Sequence, residues 1–64
     1  MDCYVCETKN RKLFRYYTDD TPDEAFGIRR FLIEGRPYLV VYGPSDETDC
    51  LEYIRDIDQN ENAR

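Results

Sequence analysis

The segment TPDEAFGIRRFLIEG, residues 21–35, can form either a helix or a strand, and this choice decides the fold of the whole chain. Thr21, with Pro22 directly after it and Glu24 three positions on, is typical of a helix start that is closed by a capping box. Gly35 is the kind of residue at which helices end. These signals predict a helix across the segment.

The apolar residues of the segment fit a helix only in part. One stripe at helical spacing comprises Ala25, Ile28 and Leu32. The other apolar side chains spread over more than half of the helix circumference, and Gly27 would cost about 1 kcal/mol relative to alanine. Residues 28–33 could instead pair with residues 38–42 as a β-hairpin. We predict a helix over residues 22–34 and keep the hairpin as the alternative.

The rest of the chain predicts strands on both sides of this segment and a helix at the end. Residues 2–8 and 12–18 are rich in aromatic and β-branched side chains and favour a β-hairpin. Residues 37–42 form the clearest strand, and Ser45 then caps a second helix that ends near Asp58. The predicted fold is α+β with the order ββαβα, a three-stranded antiparallel sheet with both helices on one face. The alternative is a four-stranded antiparallel sheet with one C-terminal helix.

The composition indicates one small acidic domain. The 64 residues include 41% hydrophobic side chains and carry a formal net charge of −5. We expect a single domain over residues 1–59 and a flexible polar tail over residues 60–64. Because the chain has no long apolar run and an odd number of cysteines, we expect it to be cytoplasmic rather than secreted or membrane-bound. The negative charge disfavours nucleic acid as a partner.

Two cysteines, Cys3 and Cys6, stand three positions apart and raise the question of a metal site. A tyrosine and a valine lie between them, and residues three apart on a strand point to opposite faces. The chain has no histidine, although a structural zinc site needs four ligands. We predict that the cysteines pack in the interior and that no cofactor is bound. The alternative is a zinc-stabilised module that uses Cys3, Cys6 and Cys50.

The predicted strands are apolar on both faces, although helices on one side can cover only one face. Alternation places a mainly aromatic set on the uncovered face, namely Tyr4, Phe14, Tyr16, Tyr38, Val40 and Tyr42. Exposed aromatic patches of this kind are typical of protein interfaces. We predict that this face binds either a second copy of the chain, in a homodimer, or a larger protein.

The C-terminal helix carries an acidic row formed by Asp49, Glu52 and Asp56. Carboxylates at helical spacing offer a surface to a basic partner and resemble a row of phosphates. Catalysis is not expected, because the chain lacks a histidine base and a glycine-rich phosphate loop. The sequence thus predicts a non-enzymatic protein-interaction domain that regulates or inhibits a larger complex. An acidic mimic of nucleic acid, which inhibits a DNA- or RNA-binding protein, is a further alternative.

Overall fold

The chain folds into a five-stranded antiparallel β-sheet with one C-terminal helix. The computed structural model describes residues 1–62, without the side chains of the last two. The elements in chain order are β1 (Asp2–Glu7), β2 (Leu13–Thr18), β3 (Asp23–Ala25), β4 (Ile28–Ile33), β5 (Arg36–Ser45) and α1 (Glu47–Asn62). The strands lie in the order β2-β1-β5-β4-β3, and every neighbouring pair is antiparallel.

The predicted helix over residues 22–34 is wrong, and so is the three-stranded ββαβα fold. The segment forms the hairpin of β3 and β4, in which Ala25 pairs with Ile28. The two residues between them, Phe26 and Gly27, have positive φ angles of 55° and 76°. Tight two-residue hairpin turns require this backbone, whereas helical residues have negative φ. The alternative prediction, a four-stranded antiparallel sheet with one C-terminal helix, matches the observed architecture. The short strand β3 makes the sheet five-stranded.

Burial along β4 follows the two-residue period of a strand. Phe31 is 6% exposed and its neighbour Leu32 is 67% exposed, while Ile33 is again half-buried. A second tight turn, at Glu34 and Gly35, has φ angles of 52° and 78° and leads into β5. Gly35 therefore serves a hairpin turn and not a helix end.

A bulge in β5 changes which face its residues occupy. Val5 of β1 pairs with Tyr42, but the next residue, Cys6, pairs with Val40, so that β5 holds one extra residue at this point. Val41 and Tyr42 both pack on the side of α1. The prediction that Tyr42 lies on the aromatic face is therefore wrong.

The sheet curls around its aromatic face. The ring centroids of Tyr16 on β2 and Phe31 on β4 are 5.1 Å apart, although β1 and β5 lie between these strands. In a flat sheet, three strand spacings would separate the two strands by about 14 Å. The concave face thus closes over a core of its own, formed by Tyr4, Cys6, Phe31 and Val40. We call these four residues the concave core.

The convex face of the sheet packs against α1 over β1, β2 and β5. Cys3 and Val5 of β1 are buried there together with Cys50 of α1. The ring of Tyr53 stacks on that of Tyr42, with 4.7 Å between the centroids. The small core of this chain is therefore divided between two sides of one sheet.

The predicted C-terminal helix is present as α1, which continues past Asp58. Ser45, its predicted cap, ends β5, and its hydroxyl donates a 2.8 Å hydrogen bond to the carboxylate of Asp49. Of the predicted tail, residues 60–62 are helical and residues 63–64 lie outside the described residues. In the part of the chain that the structure describes, no helix combines the length and the apolar character needed to cross a bilayer.

Candidate functional site

Two of the six predicted interface residues lie inside the protein, and a third lies on the other face of the sheet. Tyr4 and Val40 belong to the concave core and are 3% and 6% exposed. Tyr42 lies on the opposite face, beside Tyr53. No partner is needed to cover Tyr4 and Val40, because the curled sheet covers them itself.

The other three predicted residues, Phe14, Tyr16 and Tyr38, are half-buried and line one hollow. Phe14 and Tyr38 meet edge to face, with their ring centroids 5.2 Å apart. The hollow has a volume of about 580 Å³, and we call it the aromatic groove. Its lining residues are Thr8, Lys12, Leu13, Phe14, Arg15, Tyr16, Ile33 and Tyr38.

The aromatic groove follows the outer edge of β2. Four consecutive residues of this strand, 13–16, line the groove, although neighbouring side chains on a strand point to opposite faces. We infer from this lining that the hollow runs along an edge of the strand. The other edge of β2 is occupied by β1, so the groove lies at the outer edge, with Ile33 and Tyr38 as its far wall.

A second hollow adjoins the aromatic groove at the turn between β1 and β2. It has a volume of about 560 Å³ and shares Thr8 and Tyr38 with the groove. We call it the turn hollow, and its lining residues are Thr8, Lys9, Asn10, Arg36, Pro37 and Tyr38. The two hollows adjoin each other, and we treat them together as one surface depression.

This depression is positively charged within an acidic protein. Its described lining residues include four cations, Lys9, Lys12, Arg15 and Arg36, and no carboxylate. The whole chain, by contrast, has 14 acidic and nine basic residues. Arg15 also bonds Glu47 of α1 at 2.8 Å, which holds its guanidinium at the helix side of the groove. A ligand in the groove therefore meets apolar rings and positive charge together.

The turn between β1 and β2 places the two lysines at the mouth of the groove. The hydroxyl of Thr8 accepts hydrogen bonds from the backbone N–H groups of Asn10, at 3.2 Å, and Lys12, at 3.1 Å. The backbone N–H of Thr8 also donates to the carbonyl of Lys12 at 2.9 Å. Arg11 has a positive φ of 62°, which completes the tight turn. The turn is thus fixed by its own backbone and one threonine.

Comparison with known proteins does not assign the chain to a family. No protein-family model, no curated protein and no solved structure matches it. The chemistry of the groove therefore carries the functional argument.

The predicted interface residues include neither Ile33 nor any of the four cations Lys9, Lys12, Arg15 and Arg36. Ile33 reaches the groove only because residues 28–33 form a strand. The hairpin alternative would have indicated this, since it places Ile33 beside the strand that carries Tyr38. Arg36 fell within the turn of that hairpin, and no sequence pattern pointed to it.

The three cysteines do not converge. Cys3 and Cys50 lie in the core under α1, whereas Cys6 lies in the concave core on the other side of the sheet. Among the described residues, no group of three or more cysteine, aspartate or glutamate side chains could hold a metal ion. The zinc-stabilised module built on all three cysteines thus lacks the geometry it needs.

Burial makes two of these thiols weak acids. Desolvation, with a smaller contribution from Cys3, raises the pKa of Cys6 from 9.0 to about 11. Desolvation and a hydrogen bond with Cys3 raise the pKa of Cys50 to about 12. Both side chains stay neutral thiols at physiological pH, as expected for packing residues and not for nucleophiles.

These pKa values predict that the domain loses stability in alkaline solution. Between pH 9 and pH 11 the unfolded chain loses the Cys6 proton while the folded chain keeps it, so rising pH favours unfolding. The contribution of each neutral thiol to the free energy of unfolding is fully present below pH 9. Above pH 9 this contribution should fall by up to about 1.4 kcal/mol per pH unit. Urea titrations from pH 8 to 11 measure the slope. A Cys6→Ala variant should show a shallower slope, and an unchanged slope would show that Cys6 is not the titrating group.

The predicted acidic row lies on α1 away from the groove. Asp49, Glu52 and Asp56 are all exposed. Glu47, which bonds Arg15, marks the flank of α1 that faces β2, and Asp49 lies about 200° further around the helix. The structure therefore does not combine the acidic row and the aromatic groove into one site.

Proposed function

We propose that this chain is a non-enzymatic, cytoplasmic domain whose aromatic groove binds an acidic segment of a larger protein. The observation that carries the proposal is the charge of the groove and the turn hollow, whose described lining residues include four cations and no carboxylate in a chain of net charge −5. Opposite charge selects the partner and fixes its orientation. By occupying such a segment, the domain would regulate or inhibit the complex that uses it.

The rings of the groove favour an apolar side chain over a nucleic-acid base. Phe14 and Tyr38 stand at 85° to each other, and Tyr16 stands at 61° to Phe31. In each edge-to-face pair the edge of one ring covers a face of the other, which leaves fewer ring faces free for a stacked base. In addition, the net negative charge of the domain repels a long polyanion, while a short acidic segment interacts mainly with the nearby cations.

A second copy of the chain is a poor occupant of the groove. A groove-to-groove homodimer would bring Lys12, Arg15 and Arg36 of one copy close to the same cations of the other. Like charges at a desolvated interface are destabilising. The homodimer predicted through the aromatic face is therefore not part of this proposal.

Charge reversal at one cation of the groove, Lys12, and one of the turn hollow, Arg36, tests the proposal. We use a dye-labelled eight-residue peptide of alternating leucine and glutamate and measure its binding by fluorescence anisotropy at low salt. Arg36→Glu and Lys12→Glu should each weaken binding by about tenfold, equivalent to about 1.4 kcal/mol. Arg55→Glu makes the same change of charge on the exposed surface of α1 and should leave binding almost unchanged.

Two results would overturn the proposal. Equal losses in Arg36→Glu and Arg55→Glu would mean that only net charge matters. Tighter binding of a single-stranded oligothymidylate than of the acidic peptide would make the groove a nucleic-acid site. A leucine–lysine peptide of the same length controls for apolar binding and should not bind.

The acidic row of α1 supports a second candidate function, the mimicry of nucleic acid. Among the described residues, the ion pairs are those of the Met1 amino group with Asp19 and of Arg15 with Glu47, so none of the three carboxylates of the row is neutralised by one. Exposed carboxylates at helical spacing would suit a basic protein surface. The peptide experiment separates the two candidates, because charge reversal at Arg36 leaves the acidic row intact.

A further inference from the structure

We propose that the acidic segment binds as an added β-strand along the outer edge of β2, an inference that rests on the proposed function. The observation behind it is that residues 13–16 all line the aromatic groove. Residues from both faces of β2 border the same hollow, and we infer that the hollow extends into the space that a neighbouring strand would fill. An edge strand presents unpaired backbone N–H and C=O groups to that space.

The sheet topology leaves this edge available. β2 is the first strand in the order β2-β1-β5-β4-β3, and among residues 1–62 it pairs with β1 alone. It has six residues, a length over which backbone hydrogen bonds can fix a peptide in register. Arg15 and Tyr17 on this strand are exposed, so that α1 leaves part of the convex side of β2 uncovered.

The opposite edge of the sheet is unsuited to the same ligand. β3 has only three residues, and two of them, Asp23 and Glu24, are acidic. A short edge with like charges repels an acidic strand and offers few hydrogen bonds. The inference therefore applies to β2 only.

The two faces of β2 define the sequence pattern of the ligand. Phe14 and Tyr16 point to the concave side, where the groove is apolar, and Arg15 points to the side of α1, as its bond to Glu47 shows. Side chains of an added strand alternate in the same way. The ligand is thus an extended segment of about six residues in which apolar and acidic residues alternate.

Pairing of β2 with β2 of a second copy is disfavoured. An antiparallel pair of these edges would bring Lys12 and Arg15 of both chains together, and cations on an edge strand are a known protection against such pairing. The acidic ligand, by contrast, finds these cations as partners.

Backbone methylation of the probe tests the strand geometry. We use the same leucine–glutamate peptide, N-methylated at one position at a time, and measure its binding to the full chain. In an added strand, every second N–H points at β2. Methylation at those positions should weaken binding by about tenfold or more, and methylation at the positions between them should have little effect.

Amide hydrogen exchange gives an independent readout. On addition of the unmethylated peptide, alternate amides of β2 should become protected, and those of β3 should not change. Methylation effects without a two-residue period, or protection at β3, would overturn the strand geometry. If binding still depended on Arg36 in that case, the proposed function would stand, whereas failure of the unmethylated peptide to bind would overturn both proposals.

Discussion

Phe31→Ala is expected to destabilise the domain by about 3–5 kcal/mol. Phe31 is 6% exposed, and its ring meets those of Tyr4 and Tyr16 with centroids 4.8 Å and 5.1 Å away. It thereby joins β4 to β1 and β2 across the concave face. Because a single core in a chain of this size supplies about 3–5 kcal/mol of net stability, most of the variant should be unfolded at room temperature. Urea denaturation followed by circular dichroism measures the loss.

Phe26→Ala is the matched control for this substitution. Phe26 is the same residue type five positions earlier, but it stands at the tip of the β3–β4 turn and is fully exposed. Its replacement should change the free energy of unfolding by less than about 0.5 kcal/mol. Similar costs at the two positions would contradict the strand assignment of β4, because only a two-residue period buries Phe31 and exposes its neighbours.

Gly43→Ala is expected to cost about 3 kcal/mol, through two separate effects. The φ angle of Gly43 is 111°, a conformation that residues with a side chain rarely adopt. A Cβ atom there would also lie 2.8 Å from the carbonyl oxygen of Cys3 and 3.0 Å from Cα of Tyr4. Both are backbone atoms of β1, an interior strand of the sheet that cannot move without disturbing its pairing with β2 and β5. Chemical denaturation of the purified variant gives the cost.

Gly35→Ala separates the two effects. Gly35 has a φ of 78°, but a Cβ atom at this position would have no neighbour within 4 Å. Its replacement should therefore cost only the backbone term, about 1–2 kcal/mol. If the two glycine variants were equally stable, the close approach of β5 to β1 at Gly43 would be in doubt.

The strands at the beginning of the chain could be predicted from local sequence, because aromatic and β-branched residues surround a polar turn there. The segment of residues 22–34 could not. Its threonine, proline and glutamate are good helix-start residues, but a capping signal contributes only about 1 kcal/mol. Burial of Phe31 in the concave core contributes more, and this burial depends on partners that lie far away in the sequence. Tertiary packing therefore outweighed the local preference of this segment for a helix.

The aromatic groove was predictable only in its aromatic residues. Phe14, Tyr16 and Tyr38 follow from alternation along two regular strands. Tyr42 does not, because a bulge in β5 shifts the alternation by one residue, and no residue pattern marks the bulge. The burial of Tyr4 also escapes prediction, since it results from curling of the whole sheet.

The position of β1 has a consequence for how the molecule acquires its fold. This strand comes first in the chain, yet it lies in the sheet between β2, which follows it directly, and β5, where Glu7 meets Leu39 from 32 positions later. The two local hairpins, β1–β2 and β4–β5, need only short loops, whereas joining them requires closure of a much longer one. Long-range pairing of this kind slows folding, so we expect the union of the two hairpins to be the slow step in forming the native state.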